Sequence, residues 1–259
     1  MTYTLYQGDC LEYMRGMDAG SVDAVITDLP YGTTACSWDL VIPFAPMWEQ
    51  VKRILKPRGV FVTTGSQPFT SMLIMSNLDW FKYEWIWHKS KATGHLDAKR
   101  KPLKAHENIL IFCDGVTTYN PQMQKVKKHH RGQTAQSKQT QVYGKFKFNL
   151  YYSDEAYPQT VHFQNVIDTA IQDHPTQKPV ALYDYLIRTY TNPGETVLDF
   201  CMGSGTTGVA AIQLGRNFIG CEISEEYFKI AEKRIHEATL QPQLFKTEEP
   251  HARQDSLIE

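Results

Sequence analysis

The 259-residue sequence predicts an α/β fold, with short strands alternating with amphipathic helices. Three observations point there. Apolar runs of strand character are separated by stretches of helical period. A glycine-rich turn, Gly203-Ser204-Gly205-Thr206-Thr207-Gly208, joins a strand to a helix. Two strands run out into acidic residues, Asp28 and Glu222, at the kind of position where open α/β sheets bind ligands. With 42% hydrophobic and 12% aromatic residues, the chain can bury one large domain, or one domain carrying an insertion.

In order, Leu5–Cys10 reads as a strand ending in Gly8-Asp9 and Leu11–Met17 as a short helix. Val22–Thr27 is an apolar strand leading into Asp28-Leu29-Pro30-Tyr31-Gly32. By itself that stretch favours an ordinary turn. Phe44, Met47, Trp48, Val51, Ile54 and Leu55 give Ile42–Lys56 a helical period, ended by Pro57-Arg58-Gly59. Val60–Thr64 is the next strand. Gln67–Asn77 is a helix, with Phe69, Met72, Leu73 and Met75 expected on its apolar side. Phe81–His88 and Asn108–Cys113 form a hairpin-like pair around a basic loop, Lys89–His106.

The composition changes at Asp114. As far as about Asn165 the chain is rich in Gln, Lys, His, Thr and Tyr with no apolar period, and reads as an insertion. Tyr143, Phe146, Phe148, Tyr151 and Tyr152 interleave with lysines, a pattern suited to base stacking beside phosphate contacts or to a small subdomain core. Regular structure returns after His174-Pro175-Thr176-Gln177-Lys178-Pro179 with a helix, Val180–Tyr190. The strand Thr196–Phe200, the glycine turn, the helix Val209–Leu214, the strand Asn217–Cys221 and the helix Glu225–His236 complete the order. The tail from about Leu240 is polar and is expected to fray.

Net charge is −1, but residues 82–147 carry fourteen Lys or Arg against four Asp or Glu, so that segment is +10 and the remainder −11. A localised basic field suits a polyanion, although a solvated basic face has the same composition. The five scattered cysteines form neither a zinc pattern nor a disulfide framework, so no metal is expected and a reducing cytoplasm fits best. No signal peptide and no membrane-spanning run is expected.

The glycine turn with Glu222 closing the next strand suits a dinucleotide or S-adenosylmethionine, because glycines admit a ligand to the backbone and the carboxylate accepts from ribose hydroxyls. An accidental glycine-rich turn is the third option. Two observations weigh against a nicotinamide dinucleotide. The unit comes late, after residues 1–195, and nothing upstream resembles a hydride-transfer site.

Taken in order, Asp28-Leu29-Pro30-Tyr31, His174-Pro-Thr-Gln-Lys-Pro179 and Asp199-Phe-Cys-Met-Gly-Ser-Gly-Thr206 make the chain resemble the β group of amino-methylating DNA methyltransferases, from Gly8 to about Arg234. The resemblance implies a Rossmann-like, circularly permuted S-adenosylmethionine-dependent methyltransferase fold with a mostly parallel seven-stranded sheet. It divides the chain into a catalytic half (1–113), a target-recognition insertion (114–165), a cofactor half (166–239) and a tail (240–259). Asp28, Leu29, Pro30 and Tyr31 would be catalytic. Asp9, Cys10, Thr176, Lys178, Asp199, Phe200, Gly203, Ser204, Gly205, Thr206 and Glu222 would bind S-adenosyl-L-methionine. Lys89, Lys91, Lys99, Arg100, Lys101, Lys127, Lys128 and Arg131 would contact double-stranded DNA.

The implied chemistry needs orientation and electrostatics rather than a metal. Asp28 and the Leu29 carbonyl would accept the amino N–H bonds of a flipped-out adenine, and Tyr31 would stack on the base. The acidic first residue points to N6 of adenine. The alternatives are N4-cytosine methylation and a DNA-binding protein of the same fold with impaired turnover. The pattern is broken in two places. Leu29 replaces a proline but keeps its carbonyl, and Cys201 stands where an aromatic wall for the cofactor is usual. His88 and Lys89 are candidates for base or DNA contact, and His129-His130-Arg131 for a phosphate-facing turn.

Overall fold

The structure is a computed structural model that describes residues 1–32, 39–131, 151–166 and 177–240. They belong to two compact units, the larger within Met1–Asn120 and Thr160–Glu248 and the smaller within Pro121–Gln159.

The larger unit is built on β1 (Tyr3–Gln7), β2 (Val22–Thr27), β3 (Leu55–Gly65), β4 (Phe81–Thr93), β5 (Lys104–Cys113), β8 (Val161–Gln164), β9 (Thr196–Asp199) and β10 (Asn217–Glu222). They form one sheet in the order β1-β10-β9-β2-β3-β5-β4-β8. The first five are mutually parallel. β5 is antiparallel to both its neighbours, and β8 is parallel to β4. The smaller unit contains an antiparallel pair, β6 (Gln124–Arg131) and β7 (Tyr151–Ala156).

Successive side chains of a strand point to opposite faces, and here both faces are covered. Ala24, Ile26, Val60, Val62, Ile109 and Ile111 pack against α4 (Val180–Tyr190), α5 (Thr206–Gln213) and α6 (Glu225–Leu240). Val25, Phe61, Leu110, Phe112 and Leu198 pack against α1 (Cys10–Gly16), α2 (Phe44–Ile54) and α3 (Phe69–Ser76). The near-continuous apolar runs of the central strands follow from this double burial.

All seven expected strands of the sheet are present, and β8 adds an eighth at the edge. It comes from the stretch expected to be insertion. Its pattern is inverted, since Val161 and Phe163 are exposed while His162 and Gln164 are half-buried. An edge strand with polar residues turned inward gives no apolar signal to find. Four expectations need correcting. β4 and β5 run well into the basic stretch, so Lys89 and Lys91 are strand residues and the connection is short, with one 3-10 turn at His95–Asp97. Pro57-Arg58-Gly59 does not end a helix but forms a bulge inside β3, with Arg58 at φ 69°. On α3, Met72 and Met75 are exposed, and Thr70 is buried in their place beside Phe69 and Leu73. His129-His130-Arg131 lies in β6 and is not a turn.

α5 and α6 approach closely because α5 has no side chain where they meet. A Cβ on Gly208 would fall 2.5 Å from Ile235 Cδ1 and 2.7 Å from Phe218 Cε1. Gly205 has a φ of +79°, and its Cβ would fall 2.9 Å from that of Ala231. These two glycines therefore serve helix packing before any ligand. Gly208→Ala is expected to destabilise by about 1–3 kcal/mol, a fall of several degrees in Tm by calorimetry. Gly16→Ala has open space around its Cβ and is expected to leave Tm unchanged or slightly raised.

Candidate active site

The C-terminal ends of β1, β10, β9, β2 and β3 lie along one edge of the sheet. They present in turn Gly8-Asp9, Glu222, Asp199, Asp28 and Gly65-Ser66. Because β5 runs the other way, its first residues, Lys104 to Glu107, reach the same edge, beside the end of β4. A cavity of about 1030 Å3 opens there and is lined by residues from both sequence motifs, including Asp28–Tyr31 and Met202–Ser204. That is at the upper end of the roughly 300–1,000 Å3 typical of small-molecule sites.

The turn after β2 is held from three sides. Tyr31 Oη lies 2.9 Å from both Asp28 Oδ1 and Thr64 Oγ1, and the Thr64 hydroxyl donates to the same Asp28 oxygen. Gly32 N donates to Asp39 Oδ1 at 2.8 Å. The Tyr31 ring packs on Phe69 at 5.1 Å. Burial, and then the Asp28 carboxylate, push the Tyr31 phenol well above its ordinary range. Leu29 is 4% exposed and packs in the core on the α1–α3 face. The leucine therefore anchors the turn through its side chain.

The cofactor-type residues are organised by two carboxylates. Asp199 Oδ1 accepts from the Thr27 hydroxyl at 2.7 Å and from Cys201 N at 3.1 Å, and Oδ2 accepts from the Thr207 hydroxyl at 2.5 Å. It thus ties β2, β9 and α5 together. Burial outweighs these bonds and pushes its carboxyl up to about 6. Glu222 Oε2 accepts from Gly203 N at 2.9 Å and Oε1 from Ser224 N at 2.8 Å. Burial raises its pKa as well. Asp9 is the N-cap of α1, its Oδ1 accepting from Glu12 N at 2.9 Å. Cys10, Cys201, Met202, Gly203, Ser204 and Thr206 line the cavity. Ser204 is clasped by Arg234, which donates to its hydroxyl at 2.8 Å. Phe200 is 1% exposed and stacks on Phe61 at 6.4 Å, and it also contributes to the cavity lining. Gly205 is turned to α6, as its clash distances record. Thr176 lies outside the described residues.

The basic residues divide. Lys91, Lys99, Arg100 and Lys101 are exposed on and after the end of β4. Lys101 and Arg100 approach Asp97 at 3.3 and 3.9 Å, pairs of little energetic weight in solvent. Lys89 is set apart from these by burial. Its side chain is 9% exposed, bonds Glu107 Oε1 and lies 4.9 Å from the Trp87 ring, so it is an interior cation of the cavity. Trp87 pairs with Glu107 across the strands, and Lys89 is its next same-face neighbour, which makes the contact a diagonal cross-strand pair. Lys127, Lys128 and Arg131 lie in β6, and their side chains are outside the described set. Lys178 donates to Asp28 Oδ2 at 2.5 Å, so the structure joins it directly to the expected catalytic residue.

Sequence reasoning missed Thr64, Asp39, Lys104 and Glu107. Glu107 had a signal: a lone carboxylate opening an apolar strand run at the end of a basic stretch. Thr64, one threonine of a buried strand, had none.

A DNA methylase family pattern matches residues 22–233. The Type II methyltransferase M1.MboII of Moraxella bovis is 30% identical over 247 residues, covering 86% of this chain and 92% of its own length. The DNA adenine methyltransferase YhdJ of Escherichia coli K12 is 29% identical over 250 residues, covering 91% and 83%. Among solved structures, that of M1.HpyAVI in complex with SAM superposes with a TM-score of 0.60 at 25% identity, over 90% of this chain and all of that one.

Asp199 has a folded-state pKa, about 6, above the roughly 3.9 of an unfolded Asp. Its contribution to stability is therefore full below about pH 4 and is lost as the pH rises through about 6. The stability of the wild type relative to Asp199→Asn, by chemical denaturation, is expected to fall across that window and to stay level above it.

Proposed function

Because the chain belongs to the DNA methylase family, we propose that it transfers a methyl group from S-adenosyl-L-methionine to N6 of an adenine in double-stranded DNA. The observation that carries this is the single cavity in which the Asp28 turn meets the glycine turn and Glu222. The DNA adenine methyltransferase relative supports the choice of base, as does the carboxylate at position 28.

The residues fit the cofactor. Glu222 Oε2 accepts from Gly203 N and Oε1 from Ser224 N, and a carboxylate has about four acceptor sites, which leaves capacity for ribose hydroxyls. Asp9 lines the same opening. S-adenosyl-L-methionine, when bound, supplies a methyl group already activated on a sulfonium. The protein's task is then to position the amino nitrogen. Asp28 and the Leu29 carbonyl accept its N–H bonds, drawing the nitrogen toward tetrahedral geometry and freeing its lone pair. As positive charge develops there, the Asp28 carboxylate interacts more strongly with the transition state than with the ground state. Tyr31, held by Asp28, Thr64 and Phe69, offers its ring as the stacking platform. The target adenine must leave the duplex to reach this edge, at a cost of a few kcal/mol. The exposed lysines and arginine beyond β4 meet the DNA backbone there. Residues 114–165 are proposed for target recognition, and the scattered thiols support a reducing cytoplasm.

Incubation with labelled S-adenosyl-L-methionine and DNA, followed by nucleoside analysis, is expected to yield N6-methyladenine. N4-methylcytosine would reassign the base, and no methylated base would refute the proposal. Asp28→Ala is expected to lower the single-turnover rate by about 10²-fold or more, with cofactor affinity by calorimetry changed little.

A further inference from the structure

The methyl-transfer reading requires Asp28 to receive an amino group, yet its carboxylate is already engaged. Oδ1 has the Tyr31 and Thr64 hydroxyls, and Oδ2 has the Lys178 ammonium at 2.5 Å. A cation seated on that carboxylate weakens it as an acceptor and opposes the positive charge that develops on the reacting nitrogen. Lys178 is 8% exposed, so it cannot simply let go: a buried ammonium left without a partner is strongly unfavourable.

A second carboxylate stands within reach. Glu107 Oε2 lies 3.6 Å from Lys178 Nζ, just beyond hydrogen-bond range. That oxygen is buried and accepts no hydrogen bond among the described residues. Its twin, Oε1, is held by Lys89. Glu107 is 8% exposed, and a buried carboxylate oxygen with no donor is a feature that calls for an occupant. Strand parity puts Asp28 and Glu107 on the α4 side of the sheet, the side on which Lys178 precedes α4.

We infer that Glu107 is the second seat of Lys178: when the target base enters, the Lys178 ammonium moves from Asp28 Oδ2 to Glu107 Oε2, which releases the catalytic carboxylate and keeps the cation paired. Glu107 is thus a positioning residue that acts through Lys178, with Lys89 fixing its other oxygen. Burial opposes charge on both groups, but the mutual attraction prevails. Lys178 is raised by Asp28 and Glu107, and Glu107 is lowered by Lys178 and Lys89. Both partners are therefore charged near neutrality. No proton changes hands in the exchange.

The inference rests on the methyl-transfer reading and is tested by a double-mutant cycle on the full chain. Single-turnover methylation and cofactor affinity are measured for the wild type, Glu107→Gln, Lys178→Gln and the double variant. Glu107→Gln is expected to slow transfer about tenfold with cofactor affinity within about twofold, while the double variant is no slower than Lys178→Gln alone. Glu107→Asp, which keeps the charge, is expected to recover part of the rate. A Glu107→Gln rate within twofold of wild type, or losses that multiply in the double variant, would overturn the second seat and leave the methylation reading standing. Absence of methylated base with the wild type would overturn both. If Glu107→Gln does not bind the cofactor, Glu107→Asp takes its place in the cycle, and the same multiplicative outcome refutes the inference.

Discussion

The pair between Lys178 and Asp28 Oδ2 conditions everything around it. Charges removed from water persist only when matched, and the Asp28 turn, the approach to α4 and the opening of β5 are arranged to match them. Lys178 balances Asp28, Glu107 stands behind Lys178, and Lys89 takes the remaining Glu107 oxygen. Lys104 adds a third cation, bonded to Ser66 Oγ. Burial lowers its pKa, and the charge of Glu107 works against that shift. These groups come from four separate stretches of chain. They meet because the parallel strands, β2 and β4 among them, and the antiparallel β5 deliver opposite ends to the same edge.

A second set of polar ties gives that edge its stiffness. Asp199 joins Thr27, Cys201 and Thr207, so the end of β2, the glycine turn and the start of α5 form one hydrogen-bonded unit. Glu222 holds the turn from the other side through Gly203 N. These carboxylates are preorganised by backbone and hydroxyl donors and do not depend on a ligand for their position. Electrostatic catalysis gains most from such groups, because little reorganisation is left for the moment of reaction.

Much of this was legible in the sequence. Seven of the eight strands of the main sheet and six helices were readable from period and punctuation, since each is buried on faces that its own residues must match. The glycine turn and Glu222 were readable for the same local reason. Leu29 looked like a weakness of its motif, but the structure gives it a core position that a proline side chain would fill less fully. The eighth strand was hidden because its inward residues are polar, and Met72 and Met75 misled because exposed methionines are indistinguishable in sequence from buried ones.

By itself the sequence determined which residues carry chemistry on each segment. Local pattern is enough to say that Asp28 ends a strand and that Gly203 to Gly208 turns into a helix. Which charges meet was decided only by the tertiary structure. Lys89 was expected at the DNA and Lys178 at the cofactor, and the structure binds one to Glu107 and the other to Asp28. That assignment depends on sheet order, on the reversed direction of β5 and on strand parity. These are relations between elements far apart in the chain, and no local pattern encodes them.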